Sequence, residues 1–237
     1  MVRFHDTVML QNQPNSSKFV MKIKYLGHAS FYLETEGVKI VFDPHDKIGY
    51  DFNEVNADVA LVSHSHYDHN NVGKVKGALA VITDGFAKIK GVEITSISSY
   101  HDEVCGAKRG NNFIHTVFDG KVTYCHLGDF GENPSDYDFS KLVGVDFLFV
   151  SVGGTYTVDA SGAKEIVDII RPKFVIPMHY KTELSTVDIA SIDGFLRYFP
   201  TSKISVMKNE SDLTAILEED FMSTRVLVFE MPDGQQF

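Results

Sequence analysis

From Lys22 onward the apolar positions fall into short runs separated by turn residues. Lys22 to Leu26, Ser30 to Glu34 and Val38 to Phe42 are rich in Val, Ile, Phe and Tyr, which predicts three strands. Thr35-Glu36-Gly37 between the last two predicts a tight hairpin. Val59 to Ser63 is almost wholly apolar, as in a strand covered on both faces. Ala80 to Thr83, Val92 to Ser98, Asn112 to Phe118 and Lys121 to His126 extend the strand series, and Asp119-Gly120 marks a second hairpin. Helical spacing enters later. Ala160 to Ile170 sets Ala163, Ile166, Val167 and Ile170 on one stripe and stops at Arg171-Pro172. Thr186 to Phe199 repeats the pattern with Ile189, Ile192, Phe195, Leu196 and Phe199, which predicts a second helix. Lys173 to Met178 between them reads as a buried strand, and Lys203 to Met207 and Arg225 to Glu230 as closing strands. The pattern predicts one layered α/β domain over residues 22–237.

Residues 1–21 are largely polar, contain Gln-Asn-Gln-Pro-Asn-Ser-Ser and lack the apolar segment of a secretion signal. They read as a loose leader, with Met21 as an alternative start. Apolar residues make up 43% of the 237 positions, enough for a large core and too many for a disordered chain. The formal charge of −10 argues against broad electrostatic binding to nucleic acid. No apolar run is long enough for a membrane span. Two cysteines, Cys105 and Cys125, are too few for a disulfide framework and suit a reducing compartment, so the expected location is the cytoplasm.

The apolar run ending at Ser63 leads straight into His64-Ser65-His66-Tyr67-Asp68-His69, a spacing of H-x-H-x-D-H. Side chains two apart in an extended segment point the same way, so His64, His66 and Asp68 share a face. Imidazole and carboxylate are ligands for first-row divalent metals, zinc especially. Four donors in six residues exceed what one short loop can aim at a single ion, which points to two.

That loop resembles the signature of the metallo-β-lactamase superfamily. The resemblance runs from about Lys22 to Pro200, and is closest to the branch of ascorbate-6-phosphate lactonase-like proteins. It is carried by Gly27-His28-Ala29-Ser30-Phe31, Phe42-Asp43-Pro44, Ser63 to Asn70, Tyr100-His101-Asp102-Glu103, Gly128-Asp129, Gly153-Gly154-Thr155 and Ile176-Pro177-Met178-His179-Tyr180. The resemblance implies a four-layer αβ/βα sandwich of two mixed sheets with helices outside, and a site at one edge. It implies that His64, His66 and His101 hold one divalent ion, that Asp68, His69 and His179 hold a second, and that Asp129 bridges them. His126 is the rival to His101. Asp43 matches the family's buried aspartate, which orients a ligating histidine. His28 is expected to face the site, orienting water or touching substrate. Thr155, Tyr156 and Tyr180 are placed near the rim, while His5, His45 and His115 are read as surface or structural.

Two bridged divalent ions lower the pKa of water from 15.7 to about 7. The expected reaction is attack of a metal-bridging hydroxide on an ester, lactone or phosphoester bond of a small molecule, with Asp68 orienting the hydroxide and shuttling its proton. The ions are expected to be zinc, with manganese, iron and nickel as alternatives. A phosphodiesterase or nuclease-type hydrolase and a non-catalytic metal-binding protein of the same fold are the rival readings. Neither nucleic acid nor membrane is an expected partner, and oligomerisation is left open.

Overall fold

Strand β1 (Met21–Gly27) opens the chain as described by the computed structural model, which covers residues 21–218 and 223–232. The leader and His5 lie outside the described residues, apart from Met21. That residue is not part of a loose leader but the buried first residue of β1, its backbone N–H donating to Thr214 Oγ1 at 3.0 Å.

β2 (Ser30–Thr35) and β3 (Val38–Phe42) follow as the expected hairpin. Thr35 pairs with Val38, leaving Glu36 and Gly37 as a two-residue turn with φ of 46° and 70°, both positive as a type I′ turn requires. β4 (Val59–Leu61) and β5 (Ala80–Ile82) then add in parallel. The second sheet begins with β6 (Phe86–Ile89), β7 (Val92–Tyr100), β8 (Asn111–Phe118) and β9 (Thr123–His126). The last of these starts two residues later than its composition suggests. Asp119 Oδ1 accepts the backbone N–H groups of Lys121 and Val122 at 2.9 and 2.8 Å, drawing both into the turn.

β10 (Phe147–Ser151), α1 (Ala160–Ile170) and β11 (Phe174–Met178) form a parallel crossover unit. α1 matches its predicted span. Asp159 caps its N-terminus by accepting from Ser161 and Gly162, and Ala163, Ile166, Val167 and Ile170 are its buried face. The second predicted helix is reduced to α2 (Asp193–Leu196). Distant groups capture the backbone here: Thr186 N–H donates to Ile48 O at 2.8 Å, and Ala190 N–H, which a helix would give to Thr186, donates to Gly153 O at 2.7 Å. Tertiary hydrogen bonds override the helical periodicity and stretch residues 186–192 across the site. β12 (Ile204–Met207), β13 (Glu210–Asp212) and β14 (Arg225–Phe229) complete the sheets, in the orders β13-β1-β2-β3-β4-β5 and β12-β14-β11-β10-β9-β8-β7-β6.

The sheets face each other across a core that joins Phe31, Leu33, Ile40 and Phe42 to Val117, Phe147, Phe149 and Phe229. α1 covers the outer face of the second sheet, packing on Leu148, Val150 and Val175. The outer face of the first is covered differently. Val41 and Ala60 are buried under Phe52, Ala57 and Val75, which come from a loop and a two-stranded ribbon of Val55–Asn56 with Val75–Lys76. Among the described residues no helix is long and apolar enough to cross a membrane.

Candidate metal centre

Strand direction decides where the polar side chains meet. β1 and β3 are both antiparallel to β2, and β4 is parallel to β3, so β1, β3 and β4 all end at one edge of their sheet. β7 and β9 are both antiparallel to β8, and β10 and β11 continue in parallel from β9, so these four also end together. His28 follows β1, Asp43 follows β3, and the His64–His69 loop follows β4. His101 follows β7, Asp129 lies just past β9, and His179 follows β11. Loops at such ends carry polar groups without interrupting a buried ladder. Three of these residues are held in the left-handed region, His28 at φ 56°, Asp43 at φ 40° and His179 at φ 52°. Each such conformation costs about 1 kcal/mol or more in a residue with a Cβ, so packing must enforce it. The His28 carbonyl is one such restraint: it accepts from Tyr25 Oη at 3.1 Å and from the His179 N–H at 3.0 Å.

Asp129 Oδ2 is the centre of the site. His101 Nε2 lies 3.1 Å from it, His69 Nε2 and His179 Nε2 each 3.3 Å, and His64 Nε2 3.9 Å. The donors fall into three overlapping sets whose atoms lie within 4.8 Å of one another: His64, His66 and His101; His28, Asp68, His69 and His179; and His64, His69 and Asp129. All seven expected ligands are therefore brought together, and His28 joins the second set. Its Nε2 stands 3.5 Å from Asp68 Oδ2.

The tautomers follow from the hydrogen bonds. Asp43 accepts His69 Nδ1–H at 3.0 Å, the Ser63 N–H at 2.7 Å and the Ser63 hydroxyl at 2.6 Å. The hydroxyl, having given its one proton to Asp43, accepts from His64 Nδ1 at 2.9 Å. One buried carboxylate thus orients two histidines and turns the Nε2 of each toward the centre. Against the pull of burial, Asp129 and Asp43 hold His69 well above the ordinary imidazole range, keeping on it a proton that a metal ion would displace. The Asp129 backbone N–H is fixed by Asn112 Oδ1 at 2.9 Å, and the same amide donates to Ser99 Oγ and to the Leu127 carbonyl. Gly131 lets this segment pass His101, whose carbonyl carbon would lie 2.5 Å from an added Cβ.

Burial and His69 hold His64 well below the ordinary imidazole range, and burial with His179 pulls His28 down to about 3. Both are neutral at pH 7, the form that ligates a metal. Burial alone would raise Asp129, yet the flanking imidazoles of His179 and His69 hold it well below the usual carboxylate range. His28 Nε2, His64 Nε2, His69 Nε2, His101 Nδ1, His179 Nδ1 and Asp129 Oδ1 are buried with no hydrogen-bond partner among the described residues. A buried unpaired polar atom costs about 1–3 kcal/mol. Of these, His64 Nε2 and His69 Nε2 face Asp129 Oδ2 and His28 Nε2 faces Asp68, so unpaired nitrogens gather beside carboxylates, an arrangement that fits a cationic ligand.

His126 is buried, bonds the Ala29 carbonyl at 2.8 Å and joins none of the three donor sets, so His101 takes the place for which the two competed. His45 and His115 are buried, bonded to the Leu26 carbonyl and Ser96 Oγ respectively, which makes them structural. Tyr156 lies at the rim, half exposed, and the Thr155 carbonyl faces Arg109. Tyr180 is not at the rim: it is 2% exposed and stacks on Tyr25 beneath the site, because the chain turns inward after His179. The centre opens into a cavity of about 660 Å³ lined by His66, Asp68, His101, Asp129 and His179, with Tyr67, Arg109, Tyr156 and residues 186–188 above. The periodicity that suggested a helix hid residues 186–188, and no motif marks Arg109.

A family profile described as a β-lactamase superfamily domain matches residues 22–179. The UPF0173 protein of Pyrococcus abyssi is 32% identical over 79% of this chain and 94% of its own. The chain belongs to the UPF0173 family of metal-dependent hydrolases, within the metallo-β-lactamase superfamily. A UPF0173 metal-dependent hydrolase of Carboxydothermus hydrogenoformans is 30% identical over 68% of this chain and 85% of its own. Among solved structures, an inferred Zn-dependent hydrolase of the superfamily from Thermotoga maritima superposes with a TM-score of 0.72 at 34% identity, covering 89% of this chain and 99% of that one. The superfamily fold is thus shared over nearly the whole length.

For this UPF0173 chain, Asp43→Asn is expected to weaken metal affinity about 10- to 100-fold, the usual effect of losing an outer partner of a ligating histidine. Competition against a chromophoric chelator measures it. Unchanged affinity would show that His69 and His64 hold their orientation without Asp43.

Proposed function

We propose that the chain hydrolyses an ester, lactone or phosphoester bond of a small molecule, using two divalent cations. His64, His66 and His101 would hold one, Asp68, His69 and His179 the other, and Asp129 would bridge them, with His28 as a further donor beside the second. The mixed nitrogen and oxygen donor set suits zinc, and also manganese, iron or nickel. The chemistry such ions supply is Lewis acidity and deprotonation of water near neutral pH. Asp68 is the proton carrier in this reading. It is half-buried and lines the cavity, where its carboxylate is placed to accept a hydrogen bond from water. His28 positions that carboxylate from 3.5 Å. Tyr67, Tyr156 and residues 186–188 bound a space of the volume that small-molecule sites occupy.

The observation that carries the reading is the convergence of four imidazole nitrogens on Asp129 Oδ2 at the floor of that cavity. It is tested by elemental analysis of purified protein together with turnover of 4-nitrophenyl acetate, a γ-lactone and bis(4-nitrophenyl) phosphate. Two metal equivalents per chain, with hydrolysis lost on chelation and regained on reloading, are expected. Metal without turnover of any substrate class would favour the binding protein of the same fold.

A further inference from the structure

Between His101 and Gly110 the chain folds around a single carboxylate. Asp102, 1% exposed, accepts the backbone N–H groups of Val104, Gly106, Lys108 and Arg109 at 3.0, 2.8, 2.9 and 2.7 Å. The loop is also closed on itself: His101 N–H donates to the Gly110 carbonyl at 3.1 Å and Gly110 N–H to the Gly106 carbonyl at 2.9 Å. The residue that fixes this loop is therefore the immediate neighbour of His101, and it presents Arg109 at the cavity wall in fixed relation to the donor cluster.

Arg109 is held there by contacts that leave its charge unanswered. One Nη2–H donates to the Thr155 carbonyl at 3.2 Å, and the guanidinium lies over the Tyr156 ring with Cζ 5.5 Å from the centroid. Among the described residues no carboxylate lies within ion-pair distance of it, although Asp188 lines the same cavity. A guanidinium carries five N–H donors in a planar fork suited to carboxylate and phosphate. A strut between two loops needs one of them. Stacking on tyrosine and the backbone bonds that pin the loop to Asp102 reduce the freedom that binding an anion would otherwise cost.

We infer that Arg109 is a specificity-determining residue that recognises an oxyanion on the substrate, so that the molecule cleaved carries a carboxylate or phosphate near the scissile bond. This rests on the hydrolase reading above for the nature of the reaction, but not for the binding of the anion. The oxyanion is recognised at the wall while the reacting bond sits over the histidine floor.

The test compares mono-4-nitrophenyl glutarate, the 4-nitrophenyl ester of 3-phosphonopropionic acid and neutral 4-nitrophenyl butyrate in metal-loaded wild type, Arg109→Ala and Arg109→Lys. The quantity read is the ratio of kcat/KM for each charged ester to that for the neutral one. It is expected to exceed unity in the wild type, to fall about 10- to 100-fold in Arg109→Ala as a charge-assisted hydrogen bond is lost, and to recover in part in Arg109→Lys. The charged ester with the larger ratio identifies carboxylate or phosphate as the preferred group. A ratio within about twofold of wild type in Arg109→Ala overturns the inference and leaves Arg109 as a strut, since a structural lesion lowers both substrates together. If no ester is turned over, the hydrolase reading rests on the lactone and phosphodiester assays above, and ligand-observed NMR titration of glutaramate and 3-phosphonopropionamide against butyramide decides the anion question on its own. A preference for either charged amide that Arg109→Ala removes upholds it. Equal binding of charged and neutral amides by the wild type sinks it.

Discussion

Asp129→Ala is expected to lower hydrolysis by on the order of 10³-fold or more and to strip metal from the protein, as removal of one member of a cooperating catalytic set does. Four histidine Nε2 atoms lie within 3.1–3.9 Å of its Oδ2, and among the described residues it is the one carboxylate within ion-pair distance of His64, His101 and His179, which its loss leaves without an anionic neighbour. No nearby carboxylate can substitute. Asp68 belongs to the second donor set alone and pairs with neither His64 nor His101, and Asp43 is saturated by Ser63 and His69 on the far side. Asp129→Asn keeps the side-chain shape and the backbone bond to Asn112, and it should lose as much activity, which separates the missing charge from misfolding. Steady-state rates and elemental analysis, with circular dichroism as the control for folding, are the measurements. Either variant retaining wild-type turnover and metal content would remove Asp129 from the centre.

The largest expected loss of stability comes from Phe149→Ala. Phe149 lies on β10 between the sheets, fully buried, with ring centroids 4.7 Å from Phe31 and 5.9 Å from Phe42. Both neighbours belong to the opposite sheet, on strands fixed by the Glu36-Gly37 turn, so the gap cannot close without shifting backbone. Phe→Ala at such a site costs about 3–5 kcal/mol. A denaturant midpoint lowered at unchanged m-value is the expected result. A loss under about 1 kcal/mol would mean that the two layers collapse onto the void, contrary to the close packing described.

Much of the fold is legible in the amino-acid order because local signals agree with tertiary demands. Glu36-Gly37 needs positive φ twice and makes a two-residue hairpin. The Ala163, Ile166, Val167, Ile170 stripe needs an apolar partner and finds the outer face of β10 and β11. Agreement fails where distant groups capture the backbone. Residues 186–192 carry helical spacing, yet their amides and carbonyls bond Ile48, Gly153 and Lys181, and those bonds form only once the sheets are assembled. The centre is legible for a related reason: imidazoles and carboxylates at the ends of apolar runs have few roles that repay their burial. His28 shows the limit. Its place in the second donor set depends on the positive φ that follows Gly27, which residue type does not encode. Arg109 is less legible still, because its position comes from four backbone bonds to Asp102 and leaves no periodic trace.

The converging strand ends carry a mechanical consequence. His28, Asp43 and the His64–His69 loop belong to one layer of the sandwich, and His101, Asp129 and His179 to the other. On the proposed assignment, an ion gripped from both sides would be a rivet through the laminate, resisting shear between the two layers. A ligand bound only by the folded chain adds about 4 kcal/mol when present at a thousandfold excess over its dissociation constant. The reagent that cuts the substrate is then also a fastener of the molecule, and starving a cell of it would loosen the scaffold as well as silence the chemistry.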